Sequence, residues 1–244
     1  MHDGSEALAL GIDLGGSKIL TAISDPKGRI LASDYRVTPA TEAPQIIAKE
    51  IFKSARHTMQ QAGITMARIS AVGIGAPGIS NPDTGVIFAS PNLPRWHNVP
   101  LRDIVESELG KRSFLINDAN AAALGELYYG AGRGVRNLIY ITISTGIGGG
   151  IIIDGKLYSG VIGTAGEIGH MTIDVNGPPC NCGNNGCWEV FASGFALAKE
   201  AKSRIAGGVR TSILDYAEGA VEEVTAKAIQ KAAEDGDAVA KELI

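Results

Sequence analysis

The sequence predicts an α/β protein of two related lobes, and three observations carry that expectation. Runs rich in β-branched residues are interleaved with helical stretches along the 244 residues. Two stretches share one plan: LALGIDLGGSKILTAISDPKGRIL from Leu8 and NLIYITISTGIGGGIIIDGKLYSG from Asn137. Each reads as an apolar strand, a glycine-rich turn, a second strand, a short turn and a third strand, with the glycines at the same corner. The length suits one large or two small domains at about 150 residues each. The lobes are expected at 1–117 and 118–244, each with one glycine turn, the second also carrying a cysteine loop and a helical tail.

Taken in order, LALGIDLG is a buried strand, and KILTAISD and RILASDYRV follow it. The DPKG between the last two fits a type I turn, with Pro26 second and Gly28 fourth. Residues 42–62 read as a helix with Thr41 as its cap. ISAVGIGAPG is a strand entering a loop, and LRDIVESELG a short helix stopped by Gly110. SFLIND is a strand and ANAAALGELYYG an alanine-rich helix. NLIYITIS, GIIIDGKLYSG and HMTIDV read as strands, and the chain from about Ser193 as helical to its end.

Composition narrows the function. A net charge of −4 offers no basic surface for nucleic acid or an anionic membrane. No apolar run approaches the ~20 residues of a membrane span. MHDGSEALALGID lacks the basic and apolar regions of a signal peptide, which leaves the cytoplasm as the default compartment. The three cysteines fall within eight residues, a metal-site pattern in a reducing compartment rather than a disulfide framework.

Glycine inside a strand weakens it, so STGIGGGII needs a reason for its bare backbone. A tight turn is one reason, and a ligand touching main-chain N–H groups is another. DLGGSK holds Asp13, Gly15, Gly16, Ser17 and Lys18. Its glycines allow a tight hairpin whose N–H groups face an anion, Lys18 adds a positive charge, and Asp13 suits a Mg²⁺-bound water. Alone it reads equally as a turn with a solvated lysine. STGIGGG offers Thr145, Gly146, Gly148 and Gly149 as a second cradle. Strands follow both turns, so neither is a Walker A loop nor a dinucleotide fingerprint.

INDANAAALGE places Asn117 and Asp118 where a strand ends and a helix begins. By itself this reads as a helix cap. With phosphate between the glycine turns, a carboxylate there is suited to take a hydroxyl proton. His170, Cys180, Cys182 and Cys187 make the Cys₃His set of structural zinc, with a disulfide plus one free thiol as the alternative. Glu167 and Glu189 flank that loop, either as ligands for sugar hydroxyls or as solvated glutamates. His2 on a tail, His57 on a helix face and His97 beside Trp96 have no catalytic reading.

Together these stretches resemble the ROK family of sugar kinases and repressors, over nearly the whole chain. The resemblance rests on DLGGSK, GIGAPG, PNL before Trp96, NDANAAALGE, STGIGGG, GxxGxAGEIGH and CNCGNNGCWE. It implies an actin-like ATPase (ribonuclease H-like) fold of two lobes, with ATP, Mg²⁺ and structural Zn²⁺. It implies Asp118 as general base, and Gly78, Asn92, Asn117, Asp118, Glu167, His170 and Glu189 at the sugar. His170 would join the three cysteines on zinc, and Lys18 matches the phosphate-side lysine, after Ser17 where many members have threonine.

The expected activity is phosphorylation of a hexose, glucose at O6 first, with fructose, mannose and N-acetyl hexosamines as alternatives. Family repressors carry an N-terminal helix-turn-helix domain, for which a first strand near Leu8 leaves no room. Family members also continue past the last residue here, with a glycine-rich segment for adenosine and a closing helix. The second lobe is therefore expected to be incomplete and to expose apolar surface, either a liability or the contact of a homodimer. A catalytically inactive sugar-binding relic or fragment is the alternative reading.

Overall fold

The computed structural model describes residues 7–244, so His2 lies outside the described residues. Strands β1 (Leu8–Leu14), β2 (Lys18–Ser24) and β3 (Ile30–Val37) run antiparallel. Strands β4 (Ile69–Ala76) and β8 (Ser113–Asn117) join parallel to β1, completing a five-stranded sheet of order β3-β2-β1-β4-β8. The alternation in LALGIDL sends Leu8, Leu10, Ile12 and Leu14 into the core. There they meet Ile47, Ile51 and Ala55 of α1 (Pro44–Ala62) and Leu101 and Val105 of α2 (Leu101–Leu109). Gly110 ends α2 in the left-handed conformation, as expected.

Thr41 does not cap α1. Ala43 holds that position with no side-chain bond, and Pro44 opens the helix. Proline there has no N–H to satisfy and its φ is preset for the first turn, which fixes the start without a hydroxyl. Thr21, Ser54 and Thr58 are fully buried between β2 and α1, and satisfy one another at 2.6 and 2.8 Å. Ser54 donates to Asp34, which also meets His57 Nδ1 at 2.7 Å.

Between β4 and α2 lies a three-stranded antiparallel sheet, β5 (Ile79–Asn81), β6 (Val86–Ala89) and β7 (His97–Val99). These strands are three or four residues long and carry no readable periodicity. After β8 comes α3 (Asp118–Tyr129). Strands β9 (Leu138–Ile143), β10 (Ile147–Ile153) and β11 (Lys156–Leu157) then form a sheet of order β11-β10-β9, the counterpart of β3-β2-β1. Ala123 and Leu127 of α3 pack on Ile152. Ile139, Ile141 and Ile143, on one face of β9, are exposed.

HMTIDV is not a strand. A 3-10 turn over Ile168–His170 leads to a single bridge between Thr172 and Cys187. The backbone here serves to bring Cys187 beside His170, which leaves no partner strand to extend the ladder. The tail is helical in pieces: α4 (Glu189–Ala192), α5 (Gly194–Ala206), 3-10 turns at Ser212–Tyr216 and Val221–Glu223, α6 (Ala226–Glu234) and α7 (Ala238–Leu243). Ala201, Ile213, Val224, Ile229 and Ala232 form its own core.

Asp237 ties that tail together. It caps α7 through the Ala240 N–H at 2.8 Å and accepts from Ser212 N–H at 2.7 Å and Thr211 Oγ1 at 2.9 Å. Burial alone would raise its carboxyl, but these donors outweigh it and hold the group at about 2. A depressed carboxylate contributes stability above its ordinary value near ~3.9, and loses it as pH falls through the folded value. Asp237→Ala is expected to cost about 2 kcal/mol at pH 7 in denaturant melts. The gap from the parent chain should close between pH 4 and pH 2; a gap constant with pH refutes the assignment.

The chain forms two compact units. One comprises the residues up to Tyr140 together with Gly150–Gly166, and the other Ile141–Gly149 with Glu167–Ile244. The junction at 117/118, where the sequence puts the lobe boundary, lies inside the first unit.

Candidate functional site

In the first unit, β1 ends beside the DLGGSK turn. Gly15 N–H closes it on the Lys18 carbonyl at 2.7 Å, and Thr38 braces it from β3's end, donating to the carbonyls of Gly15 and Ser17. Thr38 was not legible as part of the turn. Gly16 is bare because Asn92 sits against it: a Cβ there would lie 2.7 Å from Asn92 Cβ. The structure thus brings the PNL loop and the first glycine turn together. Gly78 has φ 96° and faces the Ala89 carbonyl, 2.3 Å from where a Cβ would stand. Its role is to let the chain leave β4 past β6. Gly78→Ala is expected to cost about 3 kcal/mol through strain and clash together, read in denaturant melts; a loss under 1 kcal/mol would contradict it.

Asn117 caps α3, its Oδ1 accepting from Ala119 N–H at 2.9 Å and Asn120 N–H at 3.1 Å. The bland reading of the motif therefore holds for this oxygen, and only the amide Nδ2 is left to donate outward. Asp118, the first residue of α3, is half-buried. Burial pushes its carboxyl above the ordinary range, against the pull of the Ala119 N–H. Asp13 is raised by burial too, is pulled back by Lys18, whose Nζ lies 3.9 Å away, and is pushed up again by the charge of Asp118. Two desolvated carboxylates and a lysine thus share one neighbourhood at the C-terminal ends of β1 and β8. Oxygen donors of this kind fit a hard divalent cation.

In the second unit the STGIGGG turn is held by carboxylate and backbone. Ser144 N–H donates to the Gly146 carbonyl at 2.8 Å. Glu189 Oε2 accepts from Ile147 N–H at 2.8 Å and lies 2.3 Å from where a Gly146 Cβ would be. The bare backbone at Gly146 thus leaves the Glu189 carboxylate free to reach the turn. Gly150, in the first unit, is bare because Ala123 packs on it, 2.5 Å from the missing Cβ.

His170, Cys180, Cys182 and Cys187 converge, with all four donor atoms within 4.8 Å of one another. Cys182 Sγ and Cys187 Sγ are 3.6 Å apart, as are Cys180 Sγ and His170 Nδ1. A tetrahedral ion with Zn–S of about 2.3 Å and Zn–N of about 2.0 Å separates its ligands by roughly 3.5–3.8 Å. The donor set and its spacing fit such an ion. The three cysteines are unbridged in this structure. Burial and the neighbouring thiols push Cys187 up to about 12, whereas the Asn184 N–H draws the exposed Cys182 down. His170 Nε2 points the other way, 3.9 Å from Glu167 Oε2. One imidazole can thus serve the metal with Nδ1 and a second ligand with Nε2.

Among the described residues no helix is long and apolar enough to cross a membrane. The ROK family model matches residues 9–244. The chain is 37% identical over 232 residues to the xylose repressor of Caldicellulosiruptor bescii, covering 95% of this chain and 57% of that protein. It is 39% identical over 235 residues to the glucokinase of Streptomyces coelicolor, covering 96% of this chain and 72% of that one. Among solved structures, the ROK family glucokinase from Streptomyces griseus in complex with glucose and AMPPNP superposes with a TM-score of 0.86. That match has 39% identity and covers 97% of this chain and 74% of the other. The five-stranded sheet is thus that of the actin-like ROK sugar kinases.

Proposed function

The chain belongs to the ROK family, and on that premise we propose that it is an ATP-dependent hexose kinase acting first on O6 of glucose. The observation that carries this reading is the desolvated Asp118 carboxylate at the start of α3, beside Asp13, Lys18 and the first glycine turn. A carboxylate with a raised affinity for protons is suited to take one from an alcohol as the γ-phosphoryl group is transferred. Lys18 and the turn N–H groups suit phosphate oxygens. A bound Mg²⁺ would neutralise charge on those oxygens, and Asp13 is the residue placed to hold it or its water.

For the sugar, Asn92 and the Asn117 amide offer hydrogen bonds, as do Glu167, His170 Nε2 and Glu189. Gly78 would serve the sugar through its backbone. Zinc on His170 Nδ1 and the three thiolates would fix the loop and take no part in the chemistry. The test is phosphoryl transfer by the zinc-loaded chain with Mg·ATP and a hexose panel. Glucose 6-phosphate is the expected product. Turnover confined to fructose, mannose or an N-acetyl hexosamine would reassign the substrate.

The similarity to xylose repressors favours a second reading, a sugar-binding protein without turnover. It predicts glucose binding that ATP leaves unchanged and no product with any hexose.

A further inference from the structure

The Cys₃His cluster sits between two segments that reach the same residue of the second glycine turn, Ile147. Gly169 immediately precedes the ligand His170, and its missing Cβ would lie 2.1 Å from the Ile147 carbonyl oxygen. Glu189 follows the ligand Cys187 by two residues, and its Oε2 accepts the Ile147 N–H at 2.8 Å. The N–H and the C=O of one residue in the second glycine turn, Ile147, are therefore met by residues one and two positions away from metal ligands. The segments are cross-linked at their base: Trp188 N–H donates to the Met171 carbonyl at 2.9 Å, and Cys187 Sγ lies 3.4 Å from the His170 carbonyl. Just beyond, Gly194 and Phe195 donate their N–H groups to the carbonyls of Ser144 and Thr145 at 2.8 and 3.2 Å. The turn from Ser144 to Ile147 is thus held from three sides by residues 169–195.

We propose that the Cys₃His cluster sets the shape of the second glycine turn, the metal drawing His170 and Cys187 together so that Gly169 and Glu189 grip the Ile147 backbone at its carbonyl and its N–H. Glu189 is then a positioning residue for the turn, whatever it also does for sugar. Gly169 is a glycine because the Ile147 carbonyl leaves no room for a methyl group, and a methyl group at Gly146 would displace the Glu189 carboxylate from its bond to Ile147. The consequence for nucleotide affinity rests on the kinase reading above; the grip itself does not.

The experiment measures amide hydrogen exchange over residues 144–149 of the whole chain, zinc-loaded and after chelation, with AMPPNP binding measured alongside. Chelation is expected to speed exchange at Ile147 at least tenfold and to weaken AMPPNP at least tenfold. Glu189→Ala should speed exchange at Ile147 with metal content intact. Glu189→Gln should keep protection, because its amide oxygen accepts the same N–H. Gly169→Ala should loosen the turn as chelation does; if that variant does not fold, the Glu189 pair decides. Faster exchange at Ile147 in a parent chain that never binds AMPPNP would support the grip and count against the kinase reading instead. Exchange over 144–149 that ignores both chelation and Glu189→Ala would overturn the proposal, leaving the turn held by the Gly194 and Phe195 bonds alone.

Discussion

Asp118→Asn is expected to bind glucose as the parent chain does and to turn over at least 100-fold more slowly, the usual worth of a positioned general base. The substitution preserves shape. Its amide oxygen can still accept the Ala119 N–H that Asp118 Oδ1 takes at 2.9 Å, so the start of α3 keeps its geometry. What it removes is the proton acceptor. The raised carboxyl gives a second, independent signature. Burial penalises the charged form in the folded chain, so ionising Asp118 costs stability above its folded value, and that cost disappears below the ordinary carboxylate range. The asparagine variant escapes the cost and should melt higher than the parent at pH 7, which is the trade expected of a group kept for chemistry. The acid limb of the parent's pH–rate profile should lie above that of an unperturbed aspartate. Initial rates, calorimetric glucose binding and melting curves check the three parts. Near-normal turnover in the variant would remove Asp118 from the base position.

The parts of this protein that were legible in the sequence are those whose local pattern and tertiary role coincide. The β1-β2-β3 meander and its repeat in β9-β10-β11 were readable because alternation, turn glycines and spacing all agree. The Cys₃His set was readable because its chemistry has few other uses. What stayed hidden depends on neighbours distant in the chain. The β5-β6-β7 sheet has strands too short to carry a period. HMTIDV alternates like a strand but finds one bridge, because its partner segment is bent around the cysteines. The glycines of STGIGGG were legible as a demand for bare backbone, but not for whom. At Gly146 the occupant is Glu189, 43 residues away, and at Gly150 it is Ala123 from α3. Gly16 likewise answers to Asn92. Sequence shows that a side chain is excluded; only the fold shows what excludes it.

Cys182→Ser should abolish stoichiometric metal binding and unfasten the loop from His170 to Cys187 without unfolding the rest. Cys182 is the most exposed of the four ligands, so the change leaves no cavity and little packing is lost. The effect must then come through coordination. A serine hydroxyl is a poor ligand for an ion that thiolates hold, and structural zinc in small domains supplies about 10–16 kcal/mol of apparent binding free energy, most of it lost with an incomplete ligand shell. The rest of the chain does not depend on that energy. The first unit has its own apolar core around Leu10, Ile51 and Val105, and the helical tail has another around Ile213 and Ile229. Elemental analysis should therefore report near-zero zinc in a variant whose helical circular dichroism is retained. Hydrogen exchange should accelerate over residues 170–187 and leave β1 and β4 protected. Full metal content in the variant would mean that the ion is held elsewhere. A global loss of structure would mean that the loop is part of the core and not an appendage to it.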